Sequence, residues 1–246
     1  VVEDDADLHF IEGCSAPKYN VANLHAGAVE LFVGKRAHLR YSTIENWSKN
    51  MYNLNTKRAR CEEEGEIEWI SGSFGSHVGY LYPMSVLAGR KSRSSFTGIT
   101  FAGTGQNLDT GCKVVLGAPD ATATVETKSI SKGGGISTFR SSIVATPAAE
   151  GAAASVSCQS LMLDDISRSD TIPAMDIRAK NVDIGHEATI GRIGDDKIFY
   201  LMSRGISEEE ARTMIVNGFA NPVSKELPLE YAVEMNNLIC LLYTSP

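Results

Sequence analysis

The chain alternates hydrophobic and polar positions with a period close to two over most of its first two hundred residues. In the segment 39–44, for example, Leu39 and Tyr41 alternate with Arg40 and Ser42. A period of two is typical of β-strands, whose successive side chains point to opposite faces. Further strands are predicted at 113–116, 122–130, 139–145, 155–163, 175–179 and 182–184.

The predicted strands are short, and glycine-rich turns such as 103–105 and 133–135 separate them. Because no clear helix intervenes before about residue 199, a doubly wound α/β sheet is excluded. A sandwich, a barrel or a β-solenoid remains. Serine and threonine recur within strands, as in 122–125, which favours the stacked polar ladders of a solenoid.

The pattern becomes helical after Gly205. Ser207 and Glu210 have the spacing of a capping box, in which the serine caps the helix and the glutamate sits at its third position. Apolar side chains at helical spacing predict one helix over 206–221 and a second over 228–239. Two short amphipathic helices cannot build their own core, so they must pack on the β body or on a partner.

Composition narrows the class of protein. The chain has 246 residues and a formal net charge of −7. This acidic balance argues against a nucleic-acid partner, and the sequence has no apolar run long enough for a membrane span. Its five cysteines are widely spaced without a CxxC pair, which indicates reduced thiols in a cytoplasmic protein. No signal peptide is visible at the start.

The first segment with candidate chemistry surrounds Cys14. This cysteine lies between Gly13 and Ser15 and close to Pro17, which predicts a tight turn rather than the middle of a strand. A turn would expose the thiol, and Lys18 would favour its thiolate, the nucleophilic form. The alternative is a cysteine that packs beneath its own loop.

The second segment combines Cys158 with His186 and Glu187, which follow 28 and 29 residues later. In a parallel solenoid one further coil returns the chain to a stacked position, so this spacing permits contact. Thiolate, imidazole and carboxylate together suit a metal such as iron. As neighbours in one strand, His186 and Glu187 point to opposite faces, so they need a bend or different roles.

The same stretch has rival interpretations as a β-helix enzyme. The dipeptides at 184–185 and 190–191 resemble the hexapeptide repeat of acyltransferases that use histidine as a general base, but the period fails at 193–194. A polysaccharide lyase would need a carboxylate cluster for calcium. The candidates for that cluster are Asp164, Asp165 and Asp170.

The segment 10–19, FIEGCSAPKY, resembles the YIEGC(S/T)AP motif of the SufB/SufD family of Suf iron–sulfur cluster assembly proteins. Other matching segments, in chain order, are 24–25, 41–43, 46–47, 56–59, 109–111, 129–133, 158–161, 186–189, 192–194, 204–207 and 227–232. The resemblance covers nearly the whole chain in order and is more specific than any one motif. The cysteine-bearing motifs favour the SufB branch over a SufD-like structural subunit.

The resemblance implies a mainly β fold: a right-handed parallel β-helix core, 1–199, followed by a C-terminal α-helical appendage, 200–246. It implies a scaffold rather than an enzyme, on which a transient iron–sulfur cluster is built. The implied partners are a SufC-type ATPase, a SufD-type subunit or a second copy of the chain, and a cysteine desulfurase system that donates persulfide sulfur. A flavin is left open as a further cofactor.

The matching positions imply Cys14 as the sulfur acceptor, and Cys158 with Glu187 and His186 as the place of cluster assembly. With a coil of roughly 24 residues and ~4.8 Å per coil, the two thiols are expected to lie ~29 Å apart. Polar or thiol side chains should then line the path between them. The residues expected to bind the ATPase are Ile206, Ala211, Met214, Ile215 and Phe219.

Two features depart from the family pattern. The family's N-terminal region is absent, and the tail from Cys240 onward does not follow the family's ending. We therefore expect a fragment whose last residues are foreign.

Overall fold

Thirteen strands and three helices make up the part of the chain that the structure, a computed structural model, describes: residues 1–16 and 21–244. The strands are β1 (Asp7–Ser15), β2 (Asn23–Val33), β3 (His38–Trp47), β4 (Met51–Cys61), β5 (Glu66–Gly75), β6 (Val78–Leu87), β7 (Arg93–Ala102), β8 (Asn107–Leu116), β9 (Thr122–Ser131), β10 (Ile136–Ala145), β11 (Ala153–Met162), β12 (Arg168–Ile177) and β13 (Asp183–Arg192). The helices are α1 (Asp195–Met202), α2 (Glu208–Ser224) and α3 (Leu229–Thr244).

The chain alternates between two parallel sheets. The odd-numbered strands form a seven-stranded sheet and the even-numbered strands a six-stranded sheet, each in chain order. Every strand therefore pairs with the strand two positions further along, and one coil consists of two strands. The fold is a parallel β-solenoid of about six turns, which confirms the predicted β-helix. Its right-handed sense stays a prediction.

One corner of each coil carries a residue in the left-handed backbone conformation. Asp5, Arg36, Glu64 and Lys91 occupy this corner in successive coils, with φ values of 61°, 54°, 55° and 57°. The later coils continue the series with Asp120, Gly151 and Asn181. These positions recur every 27 to 31 residues, so the coil is longer than the roughly 24 residues expected.

The interior of the solenoid holds the main hydrophobic core. In strands of the odd sheet the residues at alternate positions face inward, and the first inward positions of each strand are apolar or aromatic. Buried members of this core from both sheets are Leu39, Tyr41, Ile67, Trp69, Leu87, Phe96, Val114, Leu116, Val125, Phe139, Ile143 and Val156. The later inward positions of the odd sheet are polar and form the candidate site.

The C-terminal helices pack on the outer face of the odd sheet and bury a second core there. Its sheet members are Ile44, Ile70, Phe74, Ile99, Phe101, Ile130 and Leu161, and its helical members include Val216, Ala220, Val223, Met235 and Ile239. Packing on the β body is therefore the arrangement that α2 and α3 adopt. None of the helices in the described ranges is long and apolar enough to cross a membrane.

Several local predictions differ from the structure. The Ser207–Glu210 capping box is present as predicted, but α2 runs on through Pro222 to Ser224. The proline lies in the last turn, where its fixed φ suits a helix and only one backbone donor is lost. The helices begin at Asp195, before the expected boundary at residue 200.

The prediction that Cys14 lies on a tight turn is wrong. Cys14 belongs to β1 and pairs in parallel register with Glu45 of β3. The strand ends at Ser15, and the expected neighbours Pro17 and Lys18 lie outside the described residues.

Candidate functional site

Two neighbouring rows of mainly polar side chains run along the inside of the odd sheet. One row begins at Cys14, and the other ends at Cys158. Because the strands are parallel and in register, each row stacks one side chain per coil. The first, the Cys158 row, is Glu12, Thr43, Ser71, Gly98, Thr127 and Cys158. The second, the Cys14 row, is Cys14, Glu45, Ser73, Thr100, Ser129 and Ser160.

The two rows begin at a network around Glu12. The carboxylate accepts hydrogen bonds from the buried Nζ of Lys57 at 2.8 Å and from the hydroxyl of Tyr41 at 2.7 Å. Lys57 also donates to Thr43 at 3.0 Å. Burial alone would raise the pKa of Glu12, but the hydrogen bonds from Lys57 and Tyr41 outweigh burial and hold that pKa below its usual value.

Cys14 is half-buried beside this network. Its burial, followed by the negative charges of Glu12 and Glu45, raises the pKa of the Cys14 thiol to about 11, and Lys57 opposes the rise. The thiol is therefore protonated at neutral pH. The carboxylate of Glu12 and the ammonium group of Lys57 act on this pKa in opposite directions, so the protonation of Cys14 depends on both neighbours.

Glu45, the next member of the Cys14 row, is buried and hydrogen-bonded from the even sheet. Asn53 donates to one carboxylate oxygen at 2.6 Å, and Asn55 donates to the other at 2.9 Å. Asn53 is in turn within 2.9 Å of the Nδ1 atom of His25. These partners satisfy a carboxylate that would otherwise be costly to bury.

Hydroxyl groups continue the polar interior toward Cys158. The Oγ of Ser129 lies 2.8 Å from that of Ser160 and 3.2 Å from that of Ser169. Ser137, from the even sheet, also donates to Ser169 at 3.2 Å. The interior at this end is thus lined from both sheets by groups that can both donate and accept.

The structure brings Cys158 and His186 together. The Sγ of Cys158 lies 3.7 Å from the Nε2 of His186, across β11 and β13. The thiol is only 2% exposed, and burial raises its pKa to about 12. A buried thiol of this kind is inert until a metal or a base takes its proton.

Glu187 lies on the opposite face of β13, as the strand alternation predicted. It is exposed and accepts a hydrogen bond from Ser157 at 2.8 Å, whereas His186 faces inward beside Val156 and Cys158. Glu187 pairs with Ser157, the residue next to Cys158, so the Cys158 and Glu187 side chains lie on opposite faces of adjacent strands. They reach a common metal only if the edge strand β13 bends or a ligand moves.

Five strand steps separate Cys14 from Cys158. At ~4.8 Å per step the two rows span ~24 Å, one step less than expected. The difference follows from the longer coil, because fewer coils fit between the two cysteines.

The residues expected to bind the ATPase differ in exposure. Ala211 is fully buried, and Phe219 packs against the second core. Ile206 and Ile215 are half-buried, and Met214 is 52% exposed on α2. Sequence reasoning did not include Phe199, Tyr200 and Met202 of α1, which are also exposed. Partner binding by the five residues stays a prediction.

Other residues of the candidate site were also not identified from the sequence. They are Glu12, Lys57, Glu45, Asn53 and Asn55, all contributing to the polar interior. A strict two-residue spacing of polar side chains at 53, 55 and 57 was the signal that could have revealed three of them.

The rival interpretations find no support in the geometry. Both isoleucine–glycine dipeptides at 184–185 and 190–191 lie within the single strand β13, whereas a hexapeptide repeat turns the chain between them. Asp164 accepts backbone hydrogen bonds from Gly133 and Ser167. Asp165 and Asp170 pair with arginines.

The fold and the site define a class of protein: a parallel β-solenoid whose polar interior joins a half-buried cysteine to a buried cysteine–histidine pair. Residues 1–219 match the model of the SufBD core domain, from the SUF system of FeS cluster assembly. The chain belongs to this family.

Curated relatives agree with this assignment. The chain is similar to the iron–sulfur cluster assembly protein SufB of Bacillus subtilis, with 47% identity over 97% of this chain and 51% of the relative. A SufBD family protein of Staphylococcus epidermidis is 46% identical with the same coverage. One of Mycobacterium leprae is 44% identical over 97% of this chain and 28% of the relative. The chain thus spans about half of the first two relatives.

Proposed function

We propose that this chain is a scaffold on which an iron–sulfur cluster is built from iron and persulfide sulfur. The observation that carries the proposal is the pair of polar rows between Cys14 and Cys158. Membership of an iron–sulfur cluster assembly family supplies the reaction class. A scaffold needs a thiol that accepts sulfur, a place to combine it with iron and a route between the two.

Sulfur enters at Cys14. The Cys14 thiolate attacks the outer sulfur of a donor persulfide, a new S–S bond forms on Cys14, and the donor leaves as its thiolate. The proton of Cys14 passes to Glu12, whose carboxylate already interacts with the thiol. The proton then neutralises the departing thiolate, so charge and atoms balance.

Sulfur moves along the interior as the outer sulfur of a small persulfide anion: the thiolate of a small carrier thiol takes it from Cys14 and regenerates the Cys14 thiolate, and the Cys158 thiolate then takes it from the carrier, which leaves as its thiolate. The buried hydroxyls of Thr100, Ser129 and Thr127 can each donate a hydrogen bond to sulfur, and Lys57 supplies a positive charge at the entrance. Without these donors a charged sulfur species would be excluded from the solenoid interior, because burying an unpaired charge is costly.

Cluster assembly takes place at the last coil. Cys158 binds iron as a thiolate, and the imidazole of His186 either accepts the thiol proton or binds iron itself. Glu187 contributes a carboxylate from the outer face of β13. Iron and the cluster are the cargo of this site.

The partner subunit, a SufD-type protein or a second copy, covers the last coil. Within the described residues β12 and β13 each pair on one side only. Their exposed apolar side chains Met175, Ile177 and Ile190 are 42%, 45% and 47% exposed. An unpaired strand edge with apolar side chains is a site for association with another chain.

The ATPase partner binds the C-terminal helices on their solvent side. The buried sides of α2 and α3 form part of the second core, which leaves Met214 of α2 exposed, and Phe199 and Met202 of α1 are exposed as well. A group of exposed apolar side chains on helices that already have a packed face is typical of a protein interface.

The proposal is tested by following sulfur with mass spectrometry. The chain is incubated with a cysteine desulfurase, its sulfur donor protein and cysteine, and each cysteine-containing peptide is weighed. We expect a mass gain of roughly 32 Da, one sulfur atom, first on Cys14 and later on Cys158. In the variant Cys14→Ser neither gain should appear. A gain on Cys158 that is unchanged in Cys14→Ser would refute entry at Cys14.

A further inference from the structure

A third group of exposed apolar side chains lies on the outer face of the even sheet, apart from the last coil and the C-terminal helices. Its members are Leu24 of β2, Tyr52 and Leu54 of β4, and Tyr80 of β6. Leu24 is 66% exposed, Tyr52 and Leu54 are each 40% exposed, and Tyr80 is 42% exposed. These four residues form the even-sheet patch, which neither of the proposed interfaces uses.

The strand register makes the even-sheet patch continuous. Leu24 pairs with Tyr52, and Leu54 pairs with Tyr80, in neighbouring strands that lie ~4.8 Å apart. Tyr52 and Leu54 are two residues apart in one strand, so their side chains point to the same face. The four side chains therefore form one surface, and a continuous exposed apolar surface marks an interaction site.

Ring contacts hold the aromatic members of the patch in place. The ring of Tyr52 meets that of His77 edge-on, with centroids 5.6 Å apart, and the rings of Tyr80 and Tyr82 are 6.3 Å apart. The Tyr82 hydroxyl in turn donates a hydrogen bond to Asp109 at 2.6 Å. Aromatic side chains that are already fixed lose little conformational freedom on binding, which makes them good anchors for a partner.

The even-sheet patch begins at the corner of the solenoid that holds Cys14. Cys14 is the second-last residue of β1, and Leu24 is the second residue of β2, the next strand along the chain. Cys14 stacks on Glu45, and Leu24 stacks on Tyr52. In that second coil Asn53, the residue after Tyr52, donates to Glu45 at 2.6 Å, so inward residues on the two sides of this corner touch. Leu24 and Cys14 therefore lie on the outer and inner sides of one corner.

The size of the even-sheet patch suits a partner that binds transiently. With these exposed fractions and side-chain areas of about 150–250 Å², the patch exposes roughly 300–400 Å². A stable complex buries about 800 Å² on each partner, and transient encounters bury less. The patch is therefore small for a permanent second copy of the chain, and it fits a protein that docks, reacts and leaves.

The charge near the patch favours an acidic partner surface. Two cations, Arg58 of β4 and Lys113 of β8, lie on the same outer face, and neither has an ion pair within the described residues. Glu30 of β2 is the residue that pairs with Arg58 in the sheet. This face is thus more basic than the whole chain, whose net charge is −7. A basic margin around an apolar patch complements a partner with an acidic margin.

We propose that the even-sheet patch is the docking surface for the protein that delivers persulfide sulfur to Cys14. The inference rests on the proposed function, which assigns the other two groups of exposed apolar side chains to the partner subunit and the ATPase. The donor protein places apolar side chains of its own on the patch. Its persulfide-bearing cysteine reaches around the corner to Cys14, which is half-buried and therefore within reach. The sulfur transfer itself is the exchange described above.

Two sulfur sources separate docking from chemistry. One is the donor protein, loaded by a cysteine desulfurase and cysteine, and the other is glutathione persulfide, which needs no protein contact. Mass spectrometry follows the rate at which Cys14 of the full chain gains one sulfur atom, roughly 32 Da. Leu54→Asp places a charge in the apolar contact and should slow loading by the donor protein roughly tenfold. Loading from glutathione persulfide should keep the parent rate, which also reports an intact fold.

A second variant and a matched control accompany Leu54→Asp. Tyr80→Asp should slow loading by the donor protein in the same way. Phe32→Asp is the control, because Phe32 is 47% exposed on the same outer face but lies at the far end of β2. It should load from both sources at the parent rate. The proposal is overturned if both patch variants load from the donor protein at the parent rate, or if Phe32→Asp slows as much as they do. Equal slowing with both sulfur sources would indicate damage at Cys14 and would also contradict a docking role.

A binding measurement keeps this test independent of sulfur entry at Cys14. If Cys14 of the parent chain gains sulfur from neither source, the proposed entry is wrong, and calorimetric titration with the unloaded donor protein then decides the docking surface. Binding to the parent chain and Phe32→Asp, with loss in Leu54→Asp, supports the surface, and equal binding to all three overturns it. Sedimentation velocity detects a second copy on the patch. A parent dimer that Leu54→Asp dissociates, with donor binding unchanged, would also overturn the proposal.

Discussion

The Nε2 atom of His186 lies 3.7 Å from the Sγ atom of Cys158, one coil apart on the inner face of the odd sheet. The two residues are 28 positions apart in the sequence, and they lie side by side because one coil of this solenoid has nearly that length. Burial keeps the pKa of Cys158 at about 12, so iron binding must displace a proton, and the neighbouring imidazole is placed to take it.

The first prediction concerns Cys158. Cys158→Ser should abolish the visible absorption band after anaerobic reconstitution with iron and sulfide, because a hydroxyl is a poor ligand for a soft metal. Cys112→Ser is the matched control, since Cys112 is equally buried with a pKa also raised to about 12 but lies in the even sheet. It should retain the band. Equal bands in the two variants would contradict the assignment of Cys158.

Much of the fold follows from sequence pattern, but the polar interior does not. The strands with apolar inward positions, such as β9 and β10, are visible as alternation. In β4 the inward positions Asn53, Asn55 and Lys57 are polar, so the contrast between faces disappears and no strand is predicted there. Their burial depends on partners from the other sheet, Glu12 and Glu45, which local sequence cannot specify.

The coil length was not evident for a related reason. Corners of this kind are usually recognised by glycine or asparagine, which adopt positive φ readily. Here Arg36, Glu64 and Lys91 occupy the left-handed position, so the repeat carries no common residue. The spacing of Cys158 and His186 in the sequence was enough to suggest their contact. The network around Cys14 becomes evident only from the way the strands pair in three dimensions.

The second prediction concerns the helices. Met214→Asp should abolish co-purification with the SufC-type ATPase, because a charge in an apolar contact is costly. Met214 is 52% exposed, so the fold should be unaffected. Tyr80→Asp, at a similarly exposed position on the even sheet, is the control and should leave co-purification intact. If Met214→Asp still retains the ATPase with circular dichroism unchanged, the helices are not its binding site.

The third prediction concerns the polar rows. The double variant Thr100→Val and Ser129→Ala removes two hydroxyls from the Cys14 row with little change in shape. Sulfur should still appear on Cys14, but its transfer to Cys158 should slow by roughly fivefold for each hydroxyl, corresponding to about 1 kcal/mol per hydrogen bond. Thr97→Val, on the same strand as Thr100 but facing outward, is the control. Transfer at the parent rate in the double variant would exclude the rows as the route.

The fourth prediction uses the pKa of Cys14, which its surroundings raise to about 11. Below that pKa the thiolate fraction rises about tenfold per pH unit, so alkylation of Cys14 by iodoacetamide should accelerate steeply between about pH 7 and pH 10. Glu12→Gln removes a negative charge and should lower the pKa, giving faster alkylation at pH 8. Lys57→Met removes the opposing positive charge and should give slower alkylation. Mass spectrometry of the Cys14 peptide measures both rates, with Cys240 of α3 as the reference in the same digest. Changes in the same direction in the two variants would show that general loosening of the fold, rather than charge, controls this thiol.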